Sequence, residues 1–330
     1  AVKAAIRPEI AAMQRTAKAL AALDCLTGLS RAALKDRYVR PQITNSREGR
    51  ISIHDGRHPM VEHALKREMF VPNDTELNHT DQEMIIITGP NMAGKSTYMR
   101  QVAVLTIMAQ TGSFIPAKSA SFAPVDRIFT RVGAADDIST GQSTFMVEMK
   151  EVSHILCNAT KNSLILLDEI GRGTSTYDGM SIARAVVEYL NSKVHAYTLF
   201  ATHYHELSDM AAENEHIKNY TVTVKERGKE ITFLRRIVPG SADKSYGIHV
   251  ARLAGLPESL LKRADEILEG LEVEGIKEEP AAPVIRRETA LNLFSSPIID
   301  ELADLDVMSK TPIEAMEILF RLSKEAKEGH

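Results

Sequence analysis

Residues 89–96 read Gly-Pro-Asn-Met-Ala-Gly-Lys-Ser, the pattern G-x-x-x-x-G-K-[ST], directly after the apolar run Met84-Ile85-Ile86-Ile87-Thr88. No other feature restricts the fold so strongly, because this pattern functions where a strand feeds a tight loop that opens a helix. Gly89 and Gly94 permit the turn, so that successive backbone N–H groups and the positive helix end face phosphate oxygens. Lys95 then reaches the β- and γ-phosphates. Ser96 offers a hydroxyl to Mg²⁺, a hard cation that takes few protein ligands beside phosphate. The implied ligand is a nucleoside triphosphate, and residues 98–110 are expected to be helical, with Arg100 and Gln101 merely continuing that helix.

A second run, Leu164-Ile165-Leu166-Leu167, ends in Asp168-Glu169. Four apolar residues between polar ones suit a strand buried on both faces, and ligands collect at the carboxyl ends of such strands. Two acids there call for a cation. Asp168 is expected to hold the Mg²⁺ shell and Glu169 to orient and polarise the attacking water. A third run, residues 197–202, leads into His203-Tyr204-His205-Glu206. A histidine at a strand end beside a nucleotide can hydrogen-bond the γ-phosphate or the water. The His203/His205 spacing fits neither H-E-x-x-H nor a zinc-ribbon pattern. Between these runs, Phe145, Met149, Val152, Leu156 and Ala159 recur at helical spacing, with Ser143 at the start. On residue grounds Ser143 is an N-cap.

These segments together resemble the ATPase end of the MutS family of DNA mismatch-repair proteins. The resemblance rests on Thr88-Gly-Pro-Asn-Met-Ala-Gly-Lys-Ser-Thr-Tyr-Met-Arg-Gln101, Ser139-Thr-Gly-Gln-Ser-Thr-Phe-Met-Val-Glu-Met149, Leu167-Asp-Glu-Ile-Gly-Arg-Gly-Thr-Ser-Thr-Tyr-Asp-Gly179 and Ala201-Thr-His-Tyr-His-Glu-Leu207. It implies an ABC-type P-loop NTPase that uses ATP and Mg²⁺, with two copies paired so that each active site is shared. Gly89, Pro90, Asn91, Met92, Ala93, Gly94, Lys95, Ser96 and Thr97 would cradle the phosphates. Ser143 would cross to the partner's γ-phosphate, and Ser96, Asp168, Glu169 and His203 would serve Mg²⁺ and water. Phe70 matches the adenine-stacking position, although a lone Phe near a strand also reads as core. Residues 171–179 match the loop that carries the state of one site to the other.

The resemblance also implies partners: a second copy of the chain, mismatched DNA through segments upstream of this region, and a MutL-type repair protein. Leu291-Asn-Leu-Phe294 resembles a peptide that holds the replication sliding clamp, but Ala290 stands where a Gln usually precedes it. The start without Met suggests a fragment whose mismatch-reading, connector and clamp segments lie upstream. Two alternatives stay open: a MutS-like paralogue acting on DNA junctions or ribosomes, and a nucleotide-gated dimerisation module with negligible turnover. Intact Lys95 and Glu169 oppose the second.

Charge limits direct DNA contact. Net charge is −4 and no run of Lys/Arg is long enough to track a duplex. Two cysteines, Cys25 and Cys157, make no disulfide framework, and neither a leader nor a membrane-length apolar run is present, so a cytoplasmic protein is expected.

The expected fold class is α/β: a mixed, largely parallel sheet with helices on its faces, strands near 84–88, 127–130, 164–168, 197–201, 220–224 and 231–234, a helical N-terminal piece and a C-terminal helix-turn-helix. The expected divisions are 1–45, the end of a lever or core helical region whose Ile10, Met13, Ala17, Leu20 and Asp24 mark a packed face; 46–240, the ATPase domain; 241–271, a helix-turn-helix read as a dimerisation element; 272–310, a flexible linker rich in Glu, Lys, Pro and Ala; and 311–330, a helix opened by the capping box Thr311-Pro-Ile-Glu314.

Overall fold

Runs that are apolar at every position need cover on both faces, whereas runs that alternate need it on one. Both kinds occur here, and the all-apolar runs form the middle of the larger of two sheets. The computed structural model describes residues 6–45, 49–65, 69–90, 93–133, 143–227, 230–241 and 246–275, with Lys3 and Arg321. In chain order its principal elements are α1 (Ile10–Asp36), β1 (Gln42–Ile43), β2 (Arg50–Gly56), α2 (Pro59–Ala64), β3 (Asn73–Asn78), β4 (Met84–Thr88), α3 (Lys95–Gln110), β5 (Ser119–Phe122), β6 (Ile128–Arg131), α4 (Thr144–Asn158), β7 (Leu164–Asp168), α5 (Thr176–Tyr189), β8 (Tyr197–Ala201), β9 (Ile217–Arg227), β10 (Glu230–Pro239), α6 (Gly247–Leu253) and α7 (Glu258–Gly275). Residues 1–267 form one compact unit and 268–330 another, and every candidate nucleotide-site residue belongs to the first.

The larger sheet runs β10-β9-β4-β8-β7-β6. Strands β9, β4, β8, β7 and β6 are parallel, and β10 returns antiparallel on β9. Alternate residues of the apolar runs enter opposite cores. Ile85, Ile87, Leu164, Leu166 and Leu199 join one with Val102 and Leu105 of α3. Met84, Ile86, Ile165, Leu167 and Phe200 join the other with Val152 of α4 and Val187 of α5. All ten sheet residues are at most 1% exposed, which explains runs without polar alternation.

The smaller sheet, β1-β5-β2-β3, corrects the expectation of a single mixed sheet. Strand β2 pairs antiparallel with β3 and β5, and β1 lies parallel to β5. Strand β3 carries no apolar run to betray it. It buries Asn73, Thr75 and Leu77 in alternation, and hydrogen bonds satisfy the polar pair: Thr75 Oγ1 donates to Tyr98 Oη at 3.0 Å, and Asn73 Nδ2 donates to the Arg235 carbonyl at 3.1 Å. Because β1 begins at Gln42 and Val39 bridges Ile115, the sheet reaches back past the boundary expected at 46.

Helix α1 also departs from expectation. It runs to Asp36 with only Ala33 buried, and Ile10, Met13 and Leu20 are exposed, so its apolar positions do not pack along the α/β unit. Helices α6 and α7 are joined by a corner at residues 254–257, tied by Arg252 to Glu258 and Asp265 at 3.6 and 3.8 Å. Residues 276–310, the peptide 291–294 and, apart from Arg321, the helix expected at 311–330 lie outside the described residues.

Candidate nucleotide site

Parallel strands place their carboxyl ends on one edge, and strand order decides which of them meet there. Strand β8 lies between β4 and β7, with Ile87 and Asp168 both in register with Ala201. The ladder continues past the strands: Thr202 N donates to Ile87 O at 3.1 Å, and Glu169 N to Ala201 O at 2.9 Å. The phosphate loop, the two acids and His203 therefore leave the sheet side by side.

The loop after β4 turns directly into α3, as the sequence requires. Gly94 is the N-cap at φ +103°, a conformation that side chains rarely tolerate. Lys95 is 4% exposed, and its Nζ donates to the carbonyls of Gly89 and Pro90 at 2.5 and 3.2 Å. Burial pushes its ammonium below the usual lysine range, while Glu169 and Asp168 pull the other way. Ala93 is buried and Thr97 lines the adjacent cavity. Asn91 and Met92 lie outside the described residues.

Ser96 Oγ donates to Asp168 Oδ2 at 2.5 Å. Asp168 Oδ1 is buried and accepts no hydrogen bond among the described residues. Burial lifts this carboxyl above its usual range, opposed by the Ser96 hydroxyl. A hydroxyl and a free buried carboxylate oxygen, both hard donors, suit Mg²⁺.

Glu169 adopts φ +56°, which is uncommon for a side-chain-bearing residue and costs about 1–2 kcal/mol. Both of its oxygens are held, Oε1 by His203 Nε2 and Oε2 by Arg172 Nη1. The His203 hydrogen bond holds the carboxyl below its usual range against the effect of burial. Such strain at a charged cluster is a mark of functional sites.

Phe70 is half-buried. It lines a cavity of about 170 Å³ with Gly94, Thr97, Tyr98, Gln101 and Arg235, so an aromatic face opens beside the phosphate loop. Gln101 does more than continue its helix: it is fully buried in the cavity wall, and neither amide atom has a hydrogen-bond partner among the described residues. Arg235 comes from a bulge in β10, at φ +56°. Asn73 fixes that bulge by also accepting from Ile237 N at 2.7 Å. Neither Arg235 nor Gln101 has a sequence signal of its own, since only the bulge and the helix packing bring them to the cavity.

Ser143 caps α4, accepting from Met146 N at 3.2 Å, and is exposed. Residues 134–142 lie outside the described residues. Sequence reasoning also passed over Arg172 and Glu148. Arg172 stands three positions after Glu169, a spacing that a search for partners of the acid would have found.

A strand feeding a lysine-bearing loop, with serine and aspartate poised together across the sheet edge, defines a P-loop nucleotide-binding domain. Comparison with known proteins narrows the class. The family model for MutS domain V matches residues 85–272, and the chain belongs to the MutS family. It is 50% identical to the DNA mismatch repair protein MutS of Acetivibrio thermocellus over 99% of this chain, 51% to that of Clostridium kluyveri over 99%, and 54% to that of Caldicellulosiruptor bescii over 97%. The chain spans only 38–39% of the length of these relatives.

Proposed function

We propose that this chain binds and hydrolyses ATP with Mg²⁺ as the nucleotide-driven part of a DNA mismatch-repair protein, in ABC-type sites completed by a second copy of the chain. The observation that carries the reading is the convergence of Lys95, the Ser96–Asp168 pair and the Glu169–His203 pair on one sheet edge. Lys95 releases the loop carbonyls and turns to the β- and γ-phosphates, whose charge offsets the desolvation of its ammonium. Ser96 and Asp168 would hold Mg²⁺, which when bound neutralises charge on the phosphate oxygens. Glu169, kept ionised by His203, orients the water on the γ-phosphate. Phe70 supplies the stacking face for adenine.

Ser143 serves the partner's γ-phosphate in this reading. Its exposure supports that role, as do Leu253, Leu256 and Leu260, apolar residues exposed on and beside α6 and α7 that suit a dimer contact. Names of the relatives support mismatch repair as the setting, and mismatched DNA, a MutL-type partner and a cytoplasmic location belong to the same proposal. Leu291–Phe294 is retained as a sliding-clamp peptide. Among the described residues no helix is long and apolar enough to cross a membrane.

ATP hydrolysis measured against protein concentration tests the shared site. The rate should rise more steeply than linearly through the dimerisation range. Strict proportionality from a monomer overturns the reading.

A further inference from the structure

Behind the reacting groups lies a buried ion pair that the proposed mechanism leaves without a task. Glu148, on α4, is 6% exposed, and Arg131, at the end of β6, is 7% exposed. Arg131 Nη2 lies 3.6 Å from Glu148 Oε2. The other carboxylate oxygen, Oε1, accepts from the backbone N–H of Gly171 at 2.6 Å. A buried acid that spends one oxygen on a cation and the other on a main-chain amide fixes that amide closely, since removing it strands the amide without water, whereas Arg131 keeps a second carboxylate, Glu151 Oε2, 2.9 Å from its Nε.

Gly171 follows Glu169 by two residues, and it is held from the other sides as well. Its carbonyl accepts from Tyr204 Oη at 3.1 Å, and Tyr204 is the neighbour of His203. Its α-carbon abuts the Gly179 carbonyl. A second contact repeats the link to α4, because a Cβ on Gly173 would stand 3.0 Å from Phe145 Cβ. Arg131 in turn donates Nη1 to the Gly133 carbonyl, where the chain leaves β6. The loop that carries Glu169 is thus tied to the helix that carries Ser143 at two points, the hydrogen bond from the Gly171 amide to Glu148 and the packing of Gly173 on Phe145.

We infer that Glu148 is a positioning residue for hydrolysis: by holding the Gly171 amide it sets the Glu169 loop against the Ser143 helix. This rests on the ATPase reading above. Glu148 touches neither phosphate nor water in that arrangement, so its loss should alter the rate and leave nucleotide affinity alone.

The test uses the full chain. Glu148→Ala should retain ATP affinity within about twofold, measured with a fluorescent ATP analogue, while turnover falls at least about tenfold, since small misplacements of a reacting group carry that penalty. Glu148→Gln, whose amide oxygen still accepts from Gly171, should recover at least half of the lost rate. Affinity falling in step with turnover, or a Gln variant as slow as the Ala variant, overturns the proposal. Should Glu148→Ala fail to fold, Glu148→Asp carries the same test, because it keeps the charge for Arg131 and withdraws the carboxylate from the Gly171 amide by one methylene.

Mixing separates this proposal from the shared-site reading. Ser143→Ala mixed with Lys95→Ala should regain activity, from the site that escapes both lesions. Glu148→Ala mixed with Lys95→Ala should not, because the surviving phosphate loop is served by its own misplaced Glu169. Equal recovery in the two mixtures overturns the positioning of Glu169. If the Ser143 mixture fails to recover, the shared site falls, and the rate-against-affinity contrast in the unmixed variants still decides the role of Glu148.

Discussion

Gly171→Ala is the most demanding test of how the loop after Glu169 is built. A Cβ at this position would stand 2.4 Å from the carbonyl oxygen of Gly179, so the two backbones must part by about 0.6 Å or more to reach even a tight contact. The residue also sits at φ +87°. The left-handed conformation costs roughly 1–2 kcal/mol, and forced overpacking adds roughly 1–3 kcal/mol. A sum of roughly 2–5 kcal/mol should lower the melting temperature by roughly 5–15 °C for a domain of this size. Gly112→Ala is the internal control, since it shares a positive φ of +84° but meets no atom within 4 Å, and should lose only the conformational share. Differential scanning calorimetry compares the two. Steady-state hydrolysis adds a second readout: moving the loop should slow turnover of Gly171→Ala by as much as about 10²-fold with affinity intact, and leave Gly112→Ala near wild type. If Gly171→Ala melts within a degree of Gly112→Ala and turns over normally, the close backbone contact is wrong.

Lys95→Met should weaken ATP binding about 10²–10³-fold through lost charge-assisted phosphate contacts. Because burial depresses the lysine's proton affinity, its charge opposes folding at neutral pH, so the variant should melt no lower than wild type without nucleotide, by calorimetry. Glu169→Gln should bind ATP within a few-fold of wild type and hydrolyse it about 10²–10⁴-fold more slowly; gel filtration with ATP should find it held as a dimer. Tyr197 has its phenol pushed up to about 12, by burial first and Glu83 second. A raised folded value means stability present below pH 10 and lost as pH rises from 10 to 12, so urea denaturation of Tyr197→Phe should decline less than wild type across that window.

The centre of the larger sheet was legible because β4 and β7 are buried on both faces and so each carry four apolar residues in a row. The smaller sheet was not, because β3 buries Asn73 and Thr75, whose polarity resembles a loop until Tyr98 and the β10 bulge satisfy them. Helix α1 was legible as a helix, but its periodicity left unstated what it packs against, and its apolar positions are exposed here.

By itself, the sequence determined the phosphate loop, the acidic strand end, the strand-end histidine and the cap of α4, because each is a local requirement of backbone or ligand chemistry written within a dozen residues. Tertiary structure alone decided that β8 lies between β4 and β7 and delivers His203 to Glu169, that a bulge brings Arg235 to Phe70, and that Glu148 meets Gly171. Those pairings depend on strand order and on bonds between residues far apart in the chain, and no local pattern encodes either.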